Sequence, residues 1–286
     1  MIRAGLLAAL TMAPWAWPQA FRVDVTAVQV DVFVGHGKNA VLGLTADDFE
    51  VHDNGVLQIV DRVEAKTVPV NALLALDVSH SVSGRKLEYL KRAATTMLNG
   101  LETGDGGALI TFSSVIQVTR AFDGSFARLN DEIDRTAGFG STSLNDGLFA
   151  AFKIAEEVER PFIVLFTDGE DRFSWLSKDQ VYDAAKRSEA TVFVVATKQT
   201  PPRFALTTDF FEELAQMSGG IFFEVDSSRL PEIFASILAQ LKTRYVLSYH
   251  PRGELEPGWH ELEVRLRGRR ATVRARRGYY RDTRRR

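Results

Sequence analysis

The chain has 286 residues, 45% of them hydrophobic and 25% charged, with a formal net charge of −2. This is an ordinary globular balance, so long disorder is excluded and there is length for one large domain and a small one; no nucleic-acid partner is expected. Cysteine is absent, which excludes disulfides, thiolate metal sites and a cysteine nucleophile.

Met1–Ala20 carries one early charge, Arg3, then an apolar stretch from Ala4 to Ala13, then Pro14, Trp15, Trp17 and Pro18. It reads as a secretory signal peptide and is too short for a comfortable membrane span, so an exported protein is expected: periplasmic, secreted or envelope-associated. A cut after Ala16 or Ala20 would put proline three residues upstream, against the small-residue rule, so an uncleaved amino-terminal anchor is the alternative. Residues 21–68 read as a β segment. Phe21–Val34 alternates valines with polar residues, with a slip near Ala27 that suggests a bulge. Thr45 with Asp48 three residues on reads as a capped helical turn. Phe49–Val51 and Val56–Val63 flank Asp53-Asn54-Gly55, a tight hairpin signal. Asp47, Asp48 and Asp53 are read as capping and turn residues in preference to a second cation site.

Pro69 opens the main domain, residues 69–243. Leu73–Asp77 is an apolar run of strand length that stops at a carboxylate, followed at two-residue steps by Ser79 and Ser81. Such a run suits a strand buried on both faces of a parallel sheet, and open α/β sheets bind ligands at the carboxyl ends of their strands. Three side-chain oxygens around one point are hard-cation chemistry, although serines capping the next helix give the same pattern. Helical spacing follows over Lys86–Leu101, then strands at Ala108–Phe112 and Val115–Thr119, and helices over Phe126–Ile133 and Leu144–Val158. Thr142 lies in the glycine-flanked GFGSTSLNDG, and Asp168 follows the buried run FIVLFT. Beyond it come a helix at Lys178–Ser188, a strand at Thr191–Ala196, a helix at Asp209–Met217, a strand at Gly220–Val225 and a helix at Leu230–Leu241. This alternation predicts an α/β domain with a doubly wound, mostly parallel sheet covered on both faces.

The last segment, residues 244–286, alternates again. Tyr245–Tyr249 is a strand, and Glu261–Arg267 with Ala271–Ala275 reads as a hairpin turning at Gly268. Leu262, Val264 and Leu266 fall on one face, and Arg265, Arg267, Arg274 and Arg276 on the other. Residues 265–286 hold eleven arginines and one acid, a local balance of +10 against −12 for the rest. The arginine face is either a basic strip for an anionic surface or a solvated face that discourages edge pairing. Neither β-rich end can bury a core alone, so 21–68 and 244–286 are expected to pair as a small antiparallel β domain.

Asp-x-Ser-x-Ser, a distant Thr and Thr-Asp-Gly together resemble the metal-ion-dependent adhesion site of von Willebrand factor type A domains. FRVDVTAVQVDVFV, GLTADDFEVHDNG, YVLSYHP and ARRGYYR look like flanks of the related bacterial exported proteins common in acidobacteria. The resemblance implies a Rossmann-like fold over about residues 69–243. It also implies a magnesium or manganese site made by Asp77, Ser79, Ser81, Thr142 and Asp168. Asp146, four residues after Thr142, and Glu170 and Asp171 after the Thr-Asp-Gly turn are outer candidates by position, with helix or loop surface residues as the favoured reading because acids are normally exposed. The resemblance further implies a non-enzymatic, metal-dependent protein-binding module of the cell envelope, whose partner supplies an Asp or Glu carboxylate to complete the coordination. A scaffold subunit with a merely structural metal is the alternative.

An enzyme reading would make Asp77 a phosphoryl acceptor, but the second carboxylate of haloacid dehalogenase phosphatases is replaced here by Ser79. No Gly-x-Ser-x-Gly, His-Glu-x-x-His or Walker pattern occurs, GHGKN at 35–39 lacks the phosphate-loop spacing, and His80 stands at an exposed position between the serines.

Overall fold

The computed structural model describes residues 27–37, 39–65, 69–169, 171–197, 205–253 and 256–281, with the backbone alone for 205–207. The expected leader, the start of the first strand and Glu170 lie outside the described residues. The amino-terminal strands are β1 (Val28–His36), β2 (Asn39–Ala40), β3 (Phe49–Asp53), β4 (Val56–Gln58) and β5 (Arg62–Ala65). The main domain runs β6 (Asn71–Asp77), α1 (Arg85–Asn99), β7 (Gly106–Phe112), β8 (Ile116–Ala121), α2 (Phe126–Arg135), α3 (Leu144–Ala155) and β9 (Pro161–Thr167). It continues through α4 (Lys178–Arg187), β10 (Thr191–Thr197), α5 (Ala205–Ser218), β11 (Phe222–Val225) and α6 (Leu230–Leu241). The chain closes with β12 (Tyr245–Tyr249), β13 (Gly258–Leu266), β14 (Thr272–Arg274) and β15 (Gly278–Arg281).

The six-stranded sheet has the order β11-β10-β9-β6-β7-β8, parallel throughout except for β8 at one edge. Its strands are unbroken aliphatic runs because both faces are covered. Ala72, Leu74 and Leu76 of β6 join one core with Leu90, Met97 and Phe234, while Leu73 and Ala75 join the opposite core with Leu148, Phe152 and Leu214. The helices divide accordingly: α1, α2 and α6 on the first face, α3, α4 and α5 on the second. From β6 the chain moves outward to β7 and β8, then returns to place β9 on the other side of β6. This reversal makes the carboxyl ends of β6 and β9 the topological switch point, the crevice where such sheets accept ligands.

The other strands form a five-stranded sheet, β14-β1-β12-β5 with β2 on β1, and a four-stranded one, β15-β13-β3-β4. Val30, Val32, Val34, Tyr245, Leu247 and Tyr249 from the first meet Phe49, Val51 and Leu262 from the second in one core. The capping turn forms, with Asp48 Oδ2 accepting from Thr45 N at 2.8 Å, as does the hairpin, with Asn54 and Gly55 at φ 47° and 77°.

Three sequence expectations need correction here. Val56–Val63 is not one strand. Gln58 is buried and accepts from Arg252 N at 2.8 Å, so the chain leaves after β4 and re-forms as β5 in the other sheet. The segments either side of Gly268 do not make a hairpin: β13 pairs with β3 and β15, whereas β14 crosses to pair with β1. Their arginines therefore do not share one face. Arg265 and Arg267 are exposed, but Arg274 stacks 4.1 Å from the Phe33 ring centroid and donates to Gln240 Oε1 at 2.6 Å, and Arg276 donates to Ser188 O at 3.1 Å.

Arginines also join the sandwich to the main domain. Arg160 Nη2 pairs with Asp31 Oδ1 at 2.6 Å. Arg244, 2% exposed, donates to Gly219 O at 3.2 Å and Asp31 O at 3.0 Å. Its burial pulls its pKa down to about 10.

Candidate metal centre

Asp77 ends β6 and Asp168 follows β9, so adjacent parallel strands deliver both carboxylates to the switch point, where both are buried. Asp77 Oδ1 accepts from Ser79 N at 2.9 Å and its Oδ2 from Thr167 Oγ1 at 2.9 Å. The loop thus curls back on its own aspartate and brings Ser79 Oγ to 3.1 Å from Ser81 Oγ, which in turn donates to Asp168 Oδ1 at 2.8 Å. Four of the five predicted ligands therefore form one hydrogen-bonded chain.

Thr142 arrives on the third loop. His80 N donates to Gly140 O at 3.0 Å and Phe139 N to Val78 O at 3.0 Å, pinning that loop against the serine loop. The approach demands glycine: a Cβ on Gly138 would stand 2.3 Å from Val82 O, and Gly140 has φ +73° with Ser114 Oγ 2.6 Å from a Cβ. Thr142 O accepts from Arg172 N and Phe173 N at 2.9 and 3.1 Å, locking it to the loop after Asp168. Thr142 itself is buried. His80 is exposed.

Burial pushes the Asp77 carboxyl up to about 6; the Ser79 and Thr167 hydrogen bonds oppose that shift and the neighbouring Asp168 charge adds to it. Lys86, at the start of α1, sets its ammonium on Asp168 Oδ2. Sequence reading missed this residue, yet it left a signal. Arg85 and Lys86 put two cations in the first turn of a helix, where the macrodipole disfavours them and a nearby anion offsets the cost.

Asp146, the outer candidate on α3, spends its carboxylate on backbone donors. Its two oxygens accept from Trp175 N at 3.0 Å and Leu176 N at 2.9 Å. Asp171 similarly accepts from Asn145 N at 3.2 Å. Both carboxylates tie down the loop beyond Asp168.

The donors suit a divalent hard cation: all are oxygens, and two buried carboxylates supply charge. Among the described residues no group of three or more His, Cys, Asp or Glu that could hold a metal ion occurs, so a cation here would draw its remaining oxygens from the hydroxyls. An aspartate raised to about 6 beside a second buried carboxylate is the electrostatic state that a cation would relieve.

This fold, with these loops at its switch point, defines a class of α/β domain that gathers hydroxyls and carboxylates from two strand ends and the loop between two helices, α2 and α3. Residues 71–236, more than half of the chain, match the von Willebrand factor type A domain, and the chain belongs to that family. Its members are commonly protein-interaction or adhesion modules, some of them metal-dependent. Inter-alpha-trypsin inhibitor heavy chain H4 of Sus scrofa is 24% identical over 208 residues, 66% of this chain and 22% of that protein. The chain spans about a fifth of the length of the curated relatives it matches. Among solved structures, a von Willebrand factor type A protein from Catenulispora acidiphila superposes with a TM-score of 0.53 at 12% identity, covering 92% of this chain and 76% of that one. The vWF domain of the type V pili tip protein Mfa5 from Porphyromonas gingivalis gives 0.50 at 15% identity, covering 66% and 99%.

Proposed function

We propose that Asp77, Ser79, Ser81, Thr142 and Asp168 hold one magnesium or manganese ion, and that the chain is a non-enzymatic, metal-dependent protein-binding module of the cell envelope. The observation that carries this reading is the chain of contacts from Asp77 through Ser79 and Ser81 to Asp168, closed on its open side by the loop of Thr142. With three neutral hydroxyls among its ligands, a bound cation keeps positive charge and an open position for an anionic oxygen, and an Asp or Glu of a partner protein is the group proposed to fill it. Binding is favoured over phosphoryl transfer because Ser79 stands where the second carboxylate of an aspartyl-phosphatase pattern would be. Export rests on the pattern of Met1–Ala20; among the described residues no helix is long and apolar enough to cross a membrane. The arginine-rich end is proposed to touch anionic surfaces only through its exposed members, such as Arg265 and Arg267.

A second reading, a scaffold subunit whose strand-end loops are only stiffened, is favoured by the Lys86–Asp168 pair, since an internal ammonium already bridges α1 to β9. Pull-down from cell-envelope extract separates the two. The adhesion reading expects a partner retained in magnesium and lost both in EDTA and with an Asp77→Ala bait. Equal retention in all three supports the scaffold.

A further inference from the structure

Three large aromatic side chains stand in solvent on the loops that build the metal centre. Trp175 is 91% exposed, Phe173 54% and Phe139 48%. Phe139 belongs to the glycine loop pinned to Val78. Phe173 and Trp175 belong to the loop beyond Asp168, whose backbone is laced to the start of α3. Ser174 donates to Asp171 Oδ1 and accepts from Asp146 N at 3.1 Å, Asn145 Nδ2 donates to Leu176 O at 2.9 Å, and Asp146 holds Trp175 N and Leu176 N. The two carboxylates thus fix the backbone that carries the exposed tryptophan. Leaving an indole in water forgoes its burial energy, and a fixed backbone excludes casual fraying as the cause. Arg85, which opens α1 directly after the serine loop, and Arg172, on the loop beyond Asp168, are both exposed and add positive charge.

Resting on the metal-dependent reading above, we propose that Phe139, Phe173 and Trp175 form an apolar rim that recognises a protein segment in which the metal-binding acid is flanked by bulky apolar side chains. A rigid tryptophan beside a charged anchor is the composition of an interface hot spot, and the basic rim matches an acidic segment better than a neutral glycan. The acid supplies the metal contact, and its neighbours supply the discrimination.

The probes are fluorescent twelve-residue peptides with one central Asp, flanked either by Leu, Phe and Trp or by Ser and Gly. They are titrated against the full chain in magnesium chloride and in EDTA. The apolar-flanked peptide is expected to bind at least tenfold tighter, and Trp175→Ser to remove that advantage with an unchanged melting temperature. Ile59→Ser, at another exposed apolar side chain, on the β sandwich, should leave it intact. EDTA should abolish binding of both peptides. Equal affinities for the two peptides, or a Trp175→Ser variant that still discriminates, with EDTA sensitivity retained, overturns the rim and leaves the metal reading standing. Binding that persists in EDTA overturns both, and tighter binding of an acidic glycan at the same loops overturns the choice of a protein ligand.

Discussion

The ammonium of Lys86 and Oδ2 of Asp168 are in direct contact at the point where the chain reverses direction across the sheet. The lysine side chain is 30% exposed and the aspartate side chain fully buried, so the cation can swing to water while the anion cannot. A divalent ion entering the loops competes with this ammonium. Replacing Lys86 by Met should raise magnesium affinity about tenfold, ~1.4 kcal/mol, in a calorimetric titration. Weaker or equal binding in the variant would mean that the lysine does not compete.

Asp53 is the node of the β sandwich. It accepts from Tyr249 Oη at 2.8 Å and Tyr279 Oη at 2.9 Å, and lies 2.9 Å from His260 Nδ1, joining β12 of one sheet to β13 and β15 of the other. Asp53→Ala leaves these buried groups without their common partner and should cost about 3 kcal/mol or more in urea unfolding. A loss below 1 kcal/mol would show that the sheets do not depend on it.

Arg244 makes a parallel case at the junction of the domains. Arg244→Met keeps much of the volume and strips the donors from Gly219 and Asp31 carbonyls. The expected loss is about 2–4 kcal/mol, and unfolding should separate into two transitions when followed by calorimetry. A single transition at the native temperature would contradict the clamp.

Asp105 gives a pH dependence with a definite sign. Burial raises its pKa, but hydrogen bonds from Glu102 N, Lys242 and Val70 N outweigh that and hold it below the usual carboxylate range. A carboxyl depressed in the folded state contributes stability that is complete above its unfolded pKa and lost as pH falls through its folded one. Melting temperature should therefore decline below about pH 4, and Asp105→Asn should flatten that part of the profile while lowering stability at neutral pH. An identical acid limb in the variant would remove Asp105 from the account.

What could be read from the sequence was local. The aliphatic runs before Asp77 and Asp168, the Leu230–Leu241 helix and the Asn54-Gly55 turn depend on periodicity and on neighbours a few positions away. The β6 and β9 ends bring Asp77, Ser79, Ser81 and Asp168 together because parallel neighbours in register place their carboxyl ends side by side. What could not be read depended on distant partners. Asp53 looked like a turn residue because Tyr249 and Tyr279 are about two hundred positions away. Arg274 looked solvated because nothing near it in sequence announces Phe33 or Gln240. Asp146 stands four positions after Thr142, and the Trp175 loop that it holds lies 29 and 30 positions further on.

Magnesium titration into the full chain, followed by calorimetry, tests the central claim most directly, with Thr142→Ala as the decisive variant because it removes one hydroxyl and no charge. The account predicts one site in the native protein, an affinity at least tenfold weaker in Thr142→Ala and no detectable site in Asp77→Ala, both variants remaining folded. Binding of equal strength in all three proteins, or none in the native chain, would contradict it.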